Sequence, residues 1–347
     1  MIPKTVFLLE LLYHSLNNDP EQGLQIWSNM FDQALQSWDI KGCYQLLREI
    51  RRLDLNTAAG QIASMLSKTA QGTLAAQVRD WETAVQIYKK LLTVVSEESL
   101  GWIVSDLGNI YYLSGDFENA LQCYAQALEA YERTEDAVGL VKVWNNLGTI
   151  YRDLGDIPQA LQNFKKASSL IPEHDLETKS INLANWASVL QVAGRLDEAE
   201  EKYLQALACL QQIQAPHLLA QILGNVGTLY IAKNIPAKAI EYLSQDLAFH
   251  QQLGDLGGQG ETLNNLGLAY GKNGNIKDAL HCYVQSAQIK QGLLDVPGEL
   301  GVWKNYLIAV RDHALPVSAD ILQRVKMLMD SSGDTQAPPW LENLKVE

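Results

Sequence analysis

A pattern of small and aromatic residues recurs along most of this chain at a spacing close to 40 residues. Steps of 36, 40, 39, 40 and 40 residues separate the first small residue of each copy. These residues are Gly72, Gly108, Gly148, Ala187, Gly227 and Gly267. An alanine follows twelve residues later in every copy, and an aromatic residue follows four further on in all copies but one. A fixed period of this length is typical of repeat architectures, in which each unit buries its apolar face against its neighbours.

Each copy contains two segments with helical periodicity. Within residues 144–154 the apolar residues recur at intervals of three and four, and the same holds for residues 160–167. Such intervals place the apolar side chains on one face of an α-helix. We therefore expect two helices per repeat, packed closely where small residues such as Gly148 and Ala160 face each other.

A glycine and an aspartate separate the two predicted helices in several copies. Gly155 is expected to end the first helix in a left-handed conformation, and Asp156 to cap the second. The same pair recurs at 115–116. In two other copies asparagine takes part: Asn275 replaces the capping aspartate, and Asn234 replaces the glycine, a substitution that asparagine tolerates at positive φ.

Composition and charge narrow the classes of function. The chain has 347 residues, of which 47% are hydrophobic and 19% charged, values typical of a folded globular protein. Its formal net charge of −13 repels a phosphate backbone, and no Lys/Arg cluster forms a basic face. We expect a neutral or basic protein segment as partner, with no nucleic acid and no membrane.

No arrangement of residues points to catalysis. The six histidines and four cysteines are scattered without metal-ligand spacing, and no nucleophile-elbow or phosphate-loop pattern is present. We therefore predict a protein that is not an enzyme and has no catalytic residue, no cofactor and no metal. The apolar run at residues 6–9 is too short for a signal sequence, so the expected location is cytoplasmic.

The repeated Leu-Gly-x-x-Tyr, Gly-Asp, Ala and Tyr/Phe resemble the tetratricopeptide repeat family. Copies of about 40 residues that open with Asn-Asn-Leu-Gly, at 145–148 and 264–267, are similar to those of kinesin light chains and Leu-Gly-Asn-type adaptors. The resemblance implies an all-α, right-handed superhelix of about six recognisable helix pairs. We expect degenerate capping helices in residues 1–60, the array in 61–300, a degenerate last repeat in 301–330 and a flexible tail in 331–347.

One polar column stands out in the predicted first helices. Two residues before each small residue from Gly108 onward, and at the matching place in the degenerate repeat, lies an asparagine or aspartate. This asparagine column consists of Asp106, Asn146, Asn185, Asn225, Asn265 and Asn305. Asparagine is a mediocre helix former, so its recurrence inside helices calls for another cause. In a tetratricopeptide array the column is expected to face the groove, where each amide offers a donor and an acceptor to a peptide main chain.

The candidate peptide-binding site extends along the same predicted faces. In addition to the column, its lining residues are Asn109, Tyr112, Asn145, Thr149, Arg152, Ser188, Gln191, Thr228, Ile231 and Asn264. This lining is polar and mostly neutral. The leading hypothesis is therefore a protein-interaction scaffold that holds an extended segment of a partner.

Three alternatives remain open at this stage. The asparagines could bond to neighbouring helices and tie the repeats together. The array could be the sensor module of a signal-transduction ATPase, because residues 11–27 resemble the helical arm of such proteins. It could also bind RNA with one polar residue per repeat, although the acidity of the chain disfavours this hypothesis.

Overall fold

The computed structural model describes residues 12, 15, 19–36, 40–50, 58–332 and 344, and α-helices make up its regular structure. Within these residues there is no β-strand. The helices are α1 Pro20–Gln36, α2 Ile40–Ile50, α3 Ala58–Gln77, α4 Trp81–Leu92, α5 Glu97–Leu113, α6 Phe117–Arg133, α7 Ala137–Asp153, α8 Ile157–Leu170, α9 Leu176–Val192, α10 Leu196–Leu210, α11 Pro216–Ala232, α12 Pro236–Leu253, α13 Leu256–Lys272, α14 Ile276–Gly292, α15 Val296–Asp312 and α16 Ala319–Ser332. The predicted all-α architecture is confirmed.

The chain forms two compact units. Unit 1 spans Met1–Gly155 and unit 2 spans Asp156–Glu347. In unit 1 one core cluster surrounds Trp27 and another surrounds Tyr124. In unit 2 one cluster surrounds Tyr203 and another surrounds Tyr283. Each unit therefore has its own buried apolar core, as stacked repeats require.

The repeat has small residues at these positions because a large side chain, usually an aromatic ring, occupies the space beside them. A Cβ added at Gly267 would lie 2.5 Å from Cε1 of Tyr283, and one added at Gly72 would lie 2.5 Å from Cε2 of Tyr88. At Gly227 the neighbour is Leu243, the residue that replaces the aromatic in that copy. Close packing leaves no room for a methyl group at these positions. The paired columns of small and aromatic residues are thus one packing unit.

The turn inside each repeat has the predicted geometry. Gly115 and Gly155 have φ of 85° and 79°, and Asn234 has φ of 57°. The Asp116 carboxylate accepts a hydrogen bond from the backbone N–H of Asn119 and so caps α6. Asn275 occupies the same position before α14, but its side chain makes no capping hydrogen bond. Asn275 therefore takes the predicted N-cap position of α14, without the side-chain hydrogen bond that Asp116 makes.

The turns between repeats have a cap and a left-handed residue that were not predicted. Asp136, Asp255 and Asp295 each cap the first helix of a repeat by accepting from the backbone N–H three residues later. The residue before the cap has positive φ even where it is not glycine, as at Glu135 and Leu294. The same left-handed geometry therefore occurs at these connections, with side chains that seldom adopt it.

The predicted segment boundaries fall inside helices. Residue 61 lies within α3, and residue 301 lies within α15. The last helix, α16, begins at Ala319 and packs onto the core cluster that contains Trp303. The predicted tail beyond Ser332, apart from Leu344, and several stretches of the predicted N-terminal cap lie outside the described residues.

Candidate functional site

The asparagine column runs along the first helices of successive repeats in both units. All six members are half-buried, because each lies beside the fully packed stripe of its helix rather than within it. Half-burial leaves part of each side chain accessible to a ligand. The hydrogen bonds of the six members, however, differ.

In unit 1 the column begins with Asp106, which accepts a hydrogen bond of 3.3 Å from Tyr88 Oη at its Oδ2. Tyr88 Oη also lies 3.2 Å from Thr73 Oγ1. Burial raises the pKa of Asp106 to about 6, although hydrogen bonds from Tyr88 and Trp102 and the charge of Lys142 act in the opposite direction. Asp106 is therefore the titratable member of an otherwise amide column.

Asn146 is bonded to the preceding repeat. Its Nδ2 donates to Oδ1 of Asn109 at 2.9 Å, and the same Oδ1 accepts from Tyr124 Oη at 2.5 Å. Asn145 is buried and donates to the carbonyl of Val141 in its own helix. These contacts connect α5 and α7, so in unit 1 the amides help to hold neighbouring repeats together.

Two further predicted residues of unit 1, Tyr112 and Arg152, meet at a carboxylate that the sequence did not indicate. Tyr112 Oη donates to Asp153 Oδ2 at 2.6 Å, and Arg152 Nε donates to Asp153 Oδ1 at 2.8 Å. Burial raises the pKa of Tyr112 to about 12, with the hydrogen bond to Asp153 as the second cause. Thr149 Oγ1 donates to the carbonyl of Asn145 at 3.1 Å. Asp153 is thus a member of the site that the sequence analysis missed. It lies 41 residues after Tyr112 in the sequence, and a contact at that separation is not visible in the local sequence pattern.

The middle of the column, in unit 2, is open. Within the described part of the chain, no group donates a hydrogen bond to the side-chain amides of Asn185, Asn225 and Asn265 or accepts one from them. Their partial exposure lets water satisfy these groups in the absence of a ligand. Three successive repeats of unit 2 therefore present an uncommitted donor and acceptor at the same position.

The neighbouring predicted residues of unit 2 form weaker contacts. Gln191 Nε2 lies 3.5 Å from Thr228 Oγ1, and Tyr203 Oη donates to Gln191 Oε1 at 3.4 Å. Thr228 Oγ1 in turn donates to the carbonyl of Asn225 at 2.8 Å. Ser188 is half-buried on α9, and Ile231 packs partly against the apolar core. Gln191 thus occupies in unit 2 the linking role that Asn109 has in unit 1, with longer bonds.

At the far end of the column, two amides pair beside a cleft. Asn305 Nδ2 donates to Asn264 Oδ1 at 2.9 Å. Both line a cleft of about 540 Å³ between α13 and α15, whose remaining lining residues are Gly260, Glu261, Lys290, Gly298, Gly301, Val302, Lys304 and Ile308. The glycines leave space that side chains would otherwise fill. The lysines and glycines that line this cleft were not among the predicted site residues. A cleft depends on the distance between helices, and the sequence pattern does not give that distance.

The described residues offer neither a metal-binding group nor a membrane-spanning helix. No group of three or more histidine, cysteine, aspartate or glutamate side chains is placed to hold a metal ion there. No helix of that part combines the length and apolar character needed to cross a bilayer. The four cysteines are buried free thiols, and burial raises the pKa of Cys123 to about 11.

Comparison with known proteins places this geometry in context. Among curated proteins, the 43 kDa receptor-associated protein of the synapse from Tetronarce californica is 24% identical over an alignment of 282 residues, and the alignment covers 71% of this chain and 68% of that protein. Among solved structures, a Signal Transduction ATPase with Numerous Domains protein with a tetratricopeptide repeat sensor, from Pyrococcus horikoshii, superposes with a TM-score of 0.66 at 14% identity, over 98% of this chain and 52% of that one. A Rap protein complexed with Competence and Sporulation Factor superposes with a TM-score of 0.58 at 12% identity, over 93% of this chain and 96% of that one. At these identities the two structural likenesses concern the fold.

The repeats themselves match a family profile. A profile described as "Tetratricopeptide repeat" matches residues 99–173 and 179–252, and another with the same description matches residues 260–296. The matched ranges cover more than half of the chain and coincide with the helix pairs built on small and aromatic columns. The chain belongs to the tetratricopeptide repeat family.

Proposed function

We propose that this protein is a non-catalytic interaction scaffold that holds an extended peptide segment of a partner along the asparagine column. Tetratricopeptide arrays are interaction scaffolds, and stacked repeats create the extended surfaces that such scaffolds use. The observation that carries the proposal is the open state of Asn185, Asn225 and Asn265. An amide without a partner in the protein can offer both its donor and its acceptor to a peptide main chain.

The spacing of these three amides suits an extended chain. Packed helices lie about 10 Å apart, and an extended peptide advances about 3.3 Å per residue, so each repeat corresponds to about three residues of ligand. The three open positions of unit 2 then engage a core of about six ligand residues. Because main-chain groups are the same in every peptide, the amides provide affinity, and the lining residues provide selectivity.

Asn146 and Asn305 contribute differently in this proposal. Their Nδ2 groups already donate to Asn109 and Asn264. The hypothesis that the asparagines tie repeats together therefore applies to the ends of the column, and peptide binding is proposed mainly for its middle. The two functions occupy different members of one sequence column.

The test compares affinity with stability. A library of random linear 12-residue peptides is selected on the purified chain, and one recovered peptide is then measured by calorimetry against wild type and the double variant Asn185→Ala/Asn225→Ala. We expect a loss of affinity of about 1 to 3 kcal/mol with an unchanged Tm, because these amides make no hydrogen bond within the protein. Asn273→Ala is the matched control, since Asn273 is exposed, lies outside the column and makes no side-chain hydrogen bond.

Two outcomes contradict the proposal. If the double variant melts several degrees lower and keeps full affinity, these amides are structural. If no peptide is recovered but a generic RNA pool binds at low salt, the RNA-binding alternative replaces it.

The second candidate function, a sensor module of a signal-transduction ATPase, is favoured by the likeness of fold to the Pyrococcus horikoshii protein over 98% of this chain. A nucleotide-binding engine encoded beside this array would support that candidate.

A further inference from the structure

The cleft between α13 and α15 is bordered by a glycine that packing does not require. Gly301 lies inside α15 and is exposed, and no atom lies within 4 Å of a Cβ added there. Glycine inside a helix is less stable than alanine. At Gly267 the ring of Tyr283 accounts for the glycine, whereas at Gly301 no neighbouring side chain does. A position that departs from helix propensity without a packing cause is a candidate for function.

A second glycine lies beside the stem of a lysine. A Cβ added at Gly260 of α13 would be 3.2 Å from Cε and 3.6 Å from Cδ of Lys290. The ammonium group of Lys290 is engaged with carboxylates, since its Nζ lies 3.1 Å from Asp295 Oδ2 and 3.6 Å from Glu261 Oε1. Glu261 itself lines the cleft. The charge of Lys290 is thus compensated, and its methylene groups offer apolar surface beside the glycine.

The α15 wall of the cleft carries an uncovered apolar side chain. Ile308 is 39% exposed and lies three residues after Asn305, so the two side chains share one face of α15. Val302, which is buried, lines the cleft three residues before Asn305. The volume of about 540 Å³ falls within the range of roughly 300 to 1,000 Å³ that is typical of pockets for small ligands. The cleft therefore suits a large apolar group.

Two polar atoms at the cleft have no partner in the described part of the chain. Asn305 Nδ2 donates to Asn264 Oδ1, and neither Nδ2 of Asn264 nor Oδ1 of Asn305 makes a hydrogen bond with a described residue. A tyrosine hydroxyl is able to accept from the first atom and to donate to the second. Large aromatic side chains combine apolar area with such a polar end. The cleft thus matches the chemistry of tyrosine better than that of an aliphatic or anionic group.

We propose that this cleft binds a tyrosine side chain, with the ring against the two glycines and Ile308 and the hydroxyl at the Asn264–Asn305 pair. The site is continuous with the asparagine column, because Asn305 belongs to both and Asn264 directly precedes Asn265. A segment held along the column therefore passes the cleft. In this respect the inference rests on the proposed function: the tyrosine belongs to the bound segment and fixes its register along the column.

The first test uses single amino-acid probes and the full chain without a partner. N-acetyl-tyrosinamide is titrated into isotope-labelled protein, and the amide resonances of Gly260 and Gly301 and the methyl resonances of Ile308 are followed by NMR. We expect saturable shifts with a Kd on the order of 1 mM, as is usual for a ligand of this size. The corresponding leucine, phenylalanine and glutamate amides should bind at least about fivefold more weakly. The glutamate probe is included because Lys304 also lines the cleft.

Variants connect these shifts to the cleft. Gly301→Leu places a side chain in the open space and should weaken binding of the tyrosine probe at least about tenfold. Gly292→Leu is the matched control, because Gly292 is exposed at the end of α14, has no atom within 4 Å of an added Cβ and does not line the cleft. It should leave the Kd unchanged. Circular dichroism checks the fold of both variants, and Ile308→Asn replaces Gly301→Leu if the latter does not fold.

Three results overturn the inference. They are the absence of a saturable shift up to the solubility limit of the tyrosine probe, equal binding of any of the other three probes, and unchanged binding to Gly301→Leu.

Failure of the inference is distinguishable from failure of the proposed function. Asn185→Ala/Asn225→Ala should weaken a selected peptide and leave the tyrosine probe unaffected. Gly301→Leu should weaken a tyrosine-containing peptide as much as replacement of its tyrosine by alanine does. A peptide that depends on the two asparagines but binds Gly301→Leu with full affinity would support the column and overturn the cleft assignment. If the tyrosine probe binds and no peptide does, the proposed function fails while the cleft remains a tyrosine site.

Discussion

Asn305 donates a hydrogen bond of 2.9 Å from its Nδ2 to Oδ1 of Asn264, 41 residues earlier in the chain. The corresponding amide one repeat earlier, Asn265, makes no hydrogen bond with any described residue of the protein. Two asparagines at equivalent positions of adjacent repeats therefore have different roles. The bonded amide connects α13 and α15, and the open one is available to a ligand.

This difference predicts unequal effects of substitution. Asn305→Ala should lower the free energy of unfolding by about 1 kcal/mol, because it removes a hydrogen bond and leaves the Asn264 carbonyl with water only. Asn265→Ala should change it by less than about 0.5 kcal/mol, as expected for a surface substitution. Urea denaturation of both variants measures the difference. Equal effects of the two substitutions would contradict the division of the column into bonded and open members.

The small residues of the repeat allow a second comparison. Gly267→Ala places a methyl group 2.5 Å from the ring of Tyr283, so we expect a loss of about 1 to 3 kcal/mol from overpacking. Gly301→Ala is the matched control, because that glycine is exposed in the middle of α15 and nothing lies within 4 Å of the added atom. It should stabilise the protein by about 0.5 to 1 kcal/mol through helix propensity. Opposite shifts of Tm in the two variants are the expected result.

The repeat made the helix pairs, their turns and the small-aromatic packing predictable from sequence. These features depend on residues close to each other in the chain, such as Gly155 and Asp156, whose geometry is local. The same sequence column did not show which asparagines are bonded. That outcome depends on partners about 40 residues away, as Asn109 is for Asn146, and on whether the neighbouring position is polar.

Two other features escaped prediction for related reasons. The carboxylates of Asp246 and Asp255 both lie within ion-pair distance of the His250 ring, and periodicity alone gives no sign of this. The left-handed conformation of Leu294 was missed because leucine is not a residue in which it is expected. Both belong to the connections between repeats, where the sequence of this chain varies most from copy to copy.

Asp106 predicts a pH dependence of stability. Its pKa in the folded protein, about 6, exceeds the ordinary value of 3.8, so the folded state holds this proton more strongly than the unfolded state. Stability is therefore lost as the pH rises through the interval between these values. Asp106→Asn keeps an acceptor for Tyr88 and removes the charge. It should be more stable than wild type at pH 8 by about 1 to 2 kcal/mol, a figure reduced for partial exposure, and no more stable at pH 3.5. Urea denaturation at several pH values tests this, and a constant difference would contradict it.

The left-handed conformation of Leu294 predicts that glycine at this position stabilises the protein. Leu294 has φ of 58° and an exposure of 86%, so it adopts a strained backbone and buries almost no apolar surface. Leu294→Gly should raise the free energy of unfolding by about 0.5 to 1 kcal/mol. Glycine relieves the backbone strain in the folded state, and this gain is partly offset because glycine also increases the conformational entropy of the unfolded chain. Gly274→Ala is the reverse control: its φ is 82° and no atom crowds the site, so the loss of about 1 kcal/mol comes from strain alone. Thermal unfolding followed by circular dichroism measures both.

An ion pair between the buried carboxylate of Glu299 and Arg324 attaches the last helix, α16, to α15. Removing Arg324 should therefore lower the free energy of unfolding. Glu299 of α15 has a side chain only 3% exposed and accepts two hydrogen bonds from Arg324 of α16, at 2.8 and 2.7 Å. Trp303 Nε1 donates a third, at 3.2 Å. Arg324→Ala leaves the charge with the indole as its remaining donor among these groups. Breaking a buried pair costs about 3 to 5 kcal/mol, and because Arg324 is one third exposed we expect about 2 to 3 kcal/mol.

A double-mutant cycle separates this charge effect from lost packing. In a Glu299→Gln background the buried group is neutral, so Arg324→Ala should then cost less than about 1 kcal/mol. The coupling between the two substitutions, measured by urea denaturation at pH 7, should therefore be at least about 1 kcal/mol. In Arg324→Ala, amide hydrogen exchange should lose protection first in α16, because the ion pair attaches that helix to α15. A coupling near zero, with α16 still protected, would mean that apolar contacts of Val325, Leu328 and Met329 hold this helix and that the ion pair contributes orientation only.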